Sequence, residues 1–380
     1  MTTGAKSDLP PIVFIHGWKA SVLVSNKTGA VAFDFTLDRL LGLSPGNVLD
    51  LPMQWDPATD QQLHDDLEAS HPMTYVKCLC GTVKLLPLYG PLLEHLRASG
   101  RDVREFAYDW RRDLAETSAA AEAFLRAVAD ETRRPPQVIA HSMGCLVTLH
   151  VLNRAPTLFH SVLFGAGAMG PNLAPVWDFS VAGAPVNKVK RNDTMFTPAQ
   201  HLTNTGAVHM LAALPNERAR CGKEHIVLLE DAAGKPVDLD LTALDTWKKH
   251  GLGMYHPASG VTVTPDKETW LTSVLERCRA YRTALLPQHS PNTYPPLAVL
   301  NSDGVPTSFK FHLDADGQID FEHISTLPGD GRIVCEDACP PKGYPLVMKL
   351  TNQRDHADVL NDVESVDKLL ACLLSSKTST

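Results

Sequence analysis

The run Gln137-Val-Ile-Ala-His-Ser-Met-Gly144 constrains this chain more than any other part of it. An apolar stretch leads into a histidine, a serine and a glycine, and residues 145–154 then carry the spacing of a packed helix. A buried strand that bends sharply into a helix needs small residues two positions either side of the bend, and Ala140 and Gly144 flank Ser142 in that way. The bend lifts the Ser142 hydroxyl out at the strand tip, beside the first N–H groups of the helix. A serine hydroxyl is a weak nucleophile unless a base takes its proton and donors stabilise the oxyanion that follows. Ser142 is therefore the candidate nucleophile, and the peptide N–H of Met143 a candidate oxyanion donor. The competing reading is a serine kept only for the turn, and the strand–turn–helix setting weighs against it.

The surrounding chain supplies a sheet for this elbow. Residues 12–15 (IVFI), bounded by Pro11 and His16-Gly17, suit a buried parallel strand. Further strands are predicted at 103–106, 137–140, from 161, at 297–301 and at 346–351. Helices are predicted at the end of 85–99 and over 117–133, 145–154 and 355–374. This alternation predicts an α/β fold with a doubly wound, mostly parallel sheet. The rhythm breaks between residues 171 and 296, which are expected to form a cap or lid insertion. Residues 1–170 and 297–380 then form the core.

The 380 residues, 44% hydrophobic, are enough for one large core. A formal net charge of −8 argues against a basic nucleic-acid surface. No apolar run approaches the length of a membrane span, and 12–15 is too short for a signal-peptide core, so the expected location is cytoplasmic. Eight cysteines follow no metal-site spacing. Free thiols are expected, with a Cys335–Cys339 bridge as the alternative in an oxidising compartment. No metal and no organic cofactor is expected.

The base should follow the last strand, since an elbow serine of this kind is served by an acid and then a histidine in chain order. His356 lies there, whereas His289, His312 and His323 come too early and His141 is turned aside by the elbow. Two aspartates compete for the acid. Asp330 sits in the tight Pro328-Gly-Asp-Gly331 loop, and Asp303 at the tip of the preceding strand; Asp330 is favoured. After the first strand, the backbone N–H of Trp18 or Lys19 is the second oxyanion candidate, with Trp18 preferred. Against this stands a plain turn with a buried His16. The apolar stretch 83–89 either meets a lipid surface or packs into the core ahead of the helix.

These motifs together resemble the lecithin:cholesterol acyltransferase family, which includes the lysosomal phospholipase/transacylase. Ala107-Tyr-Asp-Trp-Arg-Arg112 is similar to that family's (A/P)YDWR segment, and Ala140-His-Ser-Met-Gly144 to its AHSMG elbow. Gly304-Val-Pro-Thr307 is similar to its GVPT, Pro328-Gly-Asp-Gly331 to its acid loop, and Arg354-Asp-His-Ala-Asp358 to its closing histidine segment. Three departures stand out. No cysteine pair lies between Val22 and Trp55, the small-residue stretch after the nucleophile reads Phe164-Gly-Ala-Gly-Ala-Met-Gly170, and GDGTV becomes Gly329-Asp-Gly-Arg-Ile-Val334. The resemblance implies the α/β-hydrolase fold and a triad of Ser142, Asp330 and His356. Tyr108, Asp109 and Trp110 are expected to brace the strand end, with a direct substrate role as the alternative. The resemblance also implies lipid acyl-ester hydrolysis or O-acyl transfer through an acyl-serine, with transient contact at a membrane surface. A carboxylesterase for smaller esters and a catalytically silent lipid-binding homologue are the alternatives.

Overall fold

The computed structural model describes residues 9–34, 36–37, 65–78, 83–170, 172–181, 196–211 and 228–376. Six strands form the central sheet: β1 Ile12–Ile15, β2 Val103–Phe106, β3 Gln137–His141, β4 Ser161–Gly165, β5 Leu297–Ser302 and β6 Leu346–Asn352. They pair in the order β6-β5-β4-β3-β1-β2, and every pair is parallel. Successive strand residues face opposite sides. Val13, Ile15, Val138, Ala140, Val162 and Phe164 enter one core cluster, while Ile12, Phe14, Ile139 and Leu163 enter the other. Burial on both faces is why these strands read as short continuous apolar runs.

Helices cover both faces: α1 Gly90–Ala98, α2 Leu114–Thr132, α3 Met143–Arg154, α4 Ala174–Val181, α5 Pro265–Ala284 and α6 Val363–Ser375. α1 and α6 bury Leu92, Leu93 and Leu96 with Val366, Leu369, Leu370 and Leu373 on one side, each contributing roughly 2 kcal/mol by transfer from water. α2, α3 and α5 lie on the other. There Asn153 donates to the carbonyls of Ala284 and Leu286, and Arg282 to those of Ala168 and Met169.

Several boundaries differ from expectation for identifiable reasons. α2 starts at Leu114 rather than residue 117, because the Asp113 carboxylate accepts the N–H of Ala115 and caps it. α6 starts at Val363 rather than 355, because Asp362 caps it through the N–H of Ser365, and a turn and the short 3-10 helix Val359–Asn361 precede it. The segment expected to be helical toward 99 becomes helix only at Gly90. Val83–Pro87 is instead a strand paired with Tyr75–Cys78, and Val83, Leu85 and Leu86 are 43%, 46% and 57% exposed. Core packing is thereby corrected for 83–87, whereas Leu88 and Tyr89 do pack into the core.

One element was not anticipated. Val305–Leu313 and Ile319–Gly329 form an antiparallel hairpin, turned where Asp314 Oδ1 accepts the N–H groups of Asp316 and Gln318 and Gly317 takes φ +76°. Leu229–Glu230 adds a third strand. The hairpin leaves the end of β5 and returns to it, so that Val305 pairs with Gly329 and bridges to Asp330.

Among the described residues no helix is long and apolar enough to cross a membrane. Cys78, Cys145, Cys278, Cys335, Cys339 and Cys372 are free thiols; Cys80 and Cys221 lie outside the described residues. The order of the parallel strands reverses between β1 and β3, and the carboxyl ends of these two strands open the crevice where such sheets place their ligands. His16 follows β1, and Ser142 follows β3.

Candidate active site

Ser142 sits at φ 53° and ψ −120°, a backbone region that non-glycine residues avoid at a cost of order 1–3 kcal/mol. The surroundings hold it there: its N–H donates to the Gly165 carbonyl at 3.0 Å, and its own carbonyl accepts the Cys145 N–H at 3.0 Å. α3 passes so close to β1 that a Cβ at Gly144 would strike the carbonyl oxygens of His16 and Ile15. A glycine is therefore required for the elbow to seat against the sheet. Gly17 faces the elbow from the other side, where a Cβ would stand 3.0 Å from the Ser142 Cβ.

His356 lies in the loop after β6. Its Nε2 is 2.9 Å from Ser142 Oγ, and its Nδ1 is 2.8 Å from Asp330 Oδ2. The other oxygen of Asp330 accepts the N–H groups of Arg332 and Ile333 at 2.8 and 2.7 Å. Burial works to raise the Asp330 pKa, yet His356 and the two N–H donors outweigh it and hold the carboxyl below its ordinary value. The His356 N–H also donates to the Asp330 carbonyl at 2.9 Å. Asp303 lies at the same hairpin base but on its exposed side, where its carboxylate accepts from Gln353. The structure thus brings Ser142, His356 and Asp330 together and leaves Asp303 outside. His289, His312 and His323 bond to Asn153, Ser325 and Asp320 instead.

On the oxyanion side, Met143 is the first residue of α3, where helix N–H groups lack intrahelical acceptors. Trp18 is partly buried in the turn after β1, and the Gly17 N–H before it is engaged by Tyr89 Oη at 3.0 Å. Lys19 adopts φ 58°, with Nζ 2.8 Å from His201 Nε2 and 3.9 Å from the centroid of the Trp18 ring. His16 is fully buried, and burial lowers its pKa to about 4. Its Nδ1 lies 2.8 Å from the Gly17 carbonyl, and its Nε2 accepts the Tyr108 N–H at 3.2 Å, which fixes a neutral tautomer.

Tyr108 donates from its hydroxyl to the His16 carbonyl at 2.8 Å and stacks on the His16 ring. Arg111, buried, clasps Asp109 and Asp65 at 2.7 and 2.6 Å. The Tyr108-Asp-Trp-Arg111 segment therefore braces the loop that carries Trp18. Arg332, at the departure from the GDGTV pattern, pairs with Asp178 of α4 at 2.7 Å. Tyr89 is a site neighbour that the sequence reading missed. Its place just before a Gly-Pro helix start was the available signal.

No model of a known protein family matches the sequence, and no curated protein does. Solved structures do match. This chain is similar to a protein of the Tle4–Tli4 complex over 97% of its own length and 99% of the other chain, at 10% identity and a TM-score of 0.59. The Bacillus licheniformis lipase BlEst2 matches 98% of this chain and 95% of its own, at 10% identity and a TM-score of 0.42. Naproxen esterase (carboxylesterase NP) of Bacillus subtilis matches 97% and 85%, at 9% identity and a TM-score of 0.34. With its all-parallel sheet, its helices on both faces and its serine elbow at the strand-order switch between β1 and β3, the chain has the α/β-hydrolase fold.

Proposed function

We propose that this protein is a serine-dependent lipid acyl-ester hydrolase or O-acyltransferase, with Ser142 as nucleophile, His356 as general base and acid, and Asp330 as its orienting carboxylate. The observation that carries the reading is the continuous hydrogen-bonded path from Ser142 Oγ through His356 to a buried, doubly N–H-bonded carboxylate. Ser142 Oγ attacks the ester carbonyl carbon as its proton passes to His356 Nε2. The N–H groups of Met143 and Trp18 hold the resulting oxyanion, each worth about 3–4 kcal/mol in the transition state. The tetrahedral species collapses, the ester C–O bond breaks, and the alcohol departs with the proton held by His356. Water then attacks the acyl-serine and releases the acid, or an alcohol attacks and carries the acyl group away. Asp330 keeps Nδ1 protonated and stabilises the imidazolium that forms in each step.

Two features favour lipids. The segments 107–112, 304–307 and 328–331 resemble those of the lecithin:cholesterol acyltransferase family. The strand Val83–Pro87 also turns Val83, Leu85 and Leu86 outward, where they would meet a membrane surface. In this reading the insertion at residues 171–296 supplies the cap over the crevice, while its helix α5 packs on the sheet face with α2 and α3. Residues 171, 182–195 and 212–227 of the insertion lie outside the described residues. The test is a fluorophosphonate label, which should attach to Ser142 and be lost in Ser142→Ala. The same variant should lose fatty-acid release from phosphatidylcholine vesicles. Turnover unchanged in Ser142→Ala would overturn the mechanism. Activity on p-nitrophenyl butyrate with none on vesicles would replace lipids by small esters. Stoichiometric lipid binding without label would replace catalysis by carriage.

A further inference from the structure

We infer that Tyr89 and His141 are positioning residues, which link the loop holding the Trp18 N–H to the loop holding His356 by a hydrogen-bond relay that bypasses Ser142. The inference rests on the function proposed above. His141 is the last residue of β3, and the elbow turns its side chain away from the Ser142 hydroxyl into the interior, where it is 3% exposed. Both ring nitrogens are engaged there. Nε2 is 2.9 Å from the backbone carbonyl of His356, and Nδ1 is 2.8 Å from Tyr89 Oη. The Gly17 N–H reaches the same Tyr89 oxygen at 3.0 Å.

The ends of this chain fix the direction of every bond in it. A carbonyl only accepts, so His141 carries its proton on Nε2 and donates it to His356. Nδ1 then has only a lone pair and accepts from the Tyr89 hydroxyl. That leaves the Tyr89 oxygen to accept the Gly17 N–H. Burial lowers the His141 pKa to about 3, so the neutral ring needed for this pattern persists across ordinary pH. His356 is consequently held at both ends of its backbone, its N–H by the Asp330 carbonyl and its own carbonyl by His141. The His16–Gly17 peptide, one residue ahead of the Trp18 N–H, is held from the same relay. A displacement of either loop is transmitted to the other through residues 89 and 141.

The minimal perturbation is Tyr89→Phe. It removes one hydroxyl and keeps the ring whose edge packs on Phe14 at 4.7 Å. Two substitutions at His141 separate positioning from simple filling of space. Gln can still donate to the His356 carbonyl, whereas Leu cannot. Each variant would be assayed on p-nitrophenyl butyrate and by the rate of fluorophosphonate labelling, with near-UV circular dichroism as the folding control. Tyr89→Phe and His141→Leu should lower kcat and the labelling rate roughly 10- to 100-fold, with KM within about twofold, the size expected for reacting groups displaced by a fraction of an ångström. His141→Gln should recover most of the loss. If His141→Leu does not fold, Tyr89→Phe against the wild type decides the matter. Wild-type kcat in a folded Tyr89→Phe, a loss confined to KM, or a Gln variant no better than Leu would overturn the relay. Because the wild type is labelled and turns over in each of these cases, the proposed function would stand.

Discussion

Replacing Asp330 by Asn tests the reading of the site most directly, because the structure dictates which way the new amide must face. Asp330 Oδ1 accepts two backbone N–H groups, from Arg332 and Ile333, while Oδ2 accepts from His356 Nδ1. An amide that keeps its oxygen toward the two N–H groups presents its NH2 to His356. The reverse orientation would leave both buried N–H groups facing a donor, at about 1–3 kcal/mol each. The first orientation therefore prevails. It forces His356 Nδ1 to accept, moves the imidazole proton to Nε2, and aims an N–H at the Ser142 hydroxyl that should be losing its proton. A wrong tautomer of this kind costs about 10⁴-fold in kcat in serine triads, or roughly 5 kcal/mol of barrier. Asp303→Asn is the matched control, since Asp303 is exposed and, among the described residues, bonds to the exposed Gln353 and to the backbone carbonyl of Asn352. Initial rates on p-nitrophenyl butyrate should fall about 10³- to 10⁴-fold in Asp330→Asn and stay within about twofold in Asp303→Asn. An Asp330→Asn enzyme within tenfold of wild type, or an equal loss in Asp303→Asn, would refute the assignment.

Three further outcomes follow from the packing. Gly144→Val should destabilise the fold by roughly 2–3 kcal/mol or more, read from urea unfolding, because the side chain would press on the His16 and Ile15 carbonyls; an unchanged midpoint would refute the close approach. Arg111→Met takes the guanidinium from the buried Asp109 and from Asp65, leaving Asp109 with Arg112 at 3.7 Å, and should cost about 3–5 kcal/mol in the same assay; a loss under about 1 kcal/mol would show that the clasp is dispensable. His16 titrates at about 4 when folded, against 6.5 for the free side chain, because burial disfavours its charge. The unfolded chain alone takes up that proton between these values, so stability should fall as pH drops through the window, by about 1.4 kcal/mol per unit. His16→Asn should show a shallower slope of unfolding free energy between pH 6.5 and 4.5, and an equal slope would refute the assignment.

The elbow was legible because its physics is local. A fully buried strand must be a short apolar run, and the crossing of α3 over β1 demands a glycine at 144 and tolerates only small residues near it. The choice between Asp303 and Asp330 was harder because both flank one hairpin base, and local sequence does not say which carboxylate turns inward. The hairpin itself left a trace in Phe309, Phe311 and Leu313, alternating toward the Asp314–Gly317 turn, but the Gly-Val-Pro-Thr resemblance drew attention to its first residues alone. Tyr89 was obscure for a different reason, its place before the Gly-Pro helix start being a weak local signal. Its partners Gly17 and His141 are remote in the chain, and a tyrosine amid leucines reads as core until the coordinates show where its hydroxyl goes. The exposed strand at 83–87 misled in the opposite sense, since apolar composition alone does not say that the side chains of a two-stranded ribbon stay exposed.

β6 pairs with β5 alone, at the rim of the sheet, and most of its residues are open to solvent. His356 hangs from the end of that rim strand, whereas Ser142 is anchored at the sheet's interior. Rims fray before interiors on warming. An imidazole slung from the margin would swing clear of its serine while the other five strands still hold together, so heat should silence the chemistry several degrees before it melts the molecule.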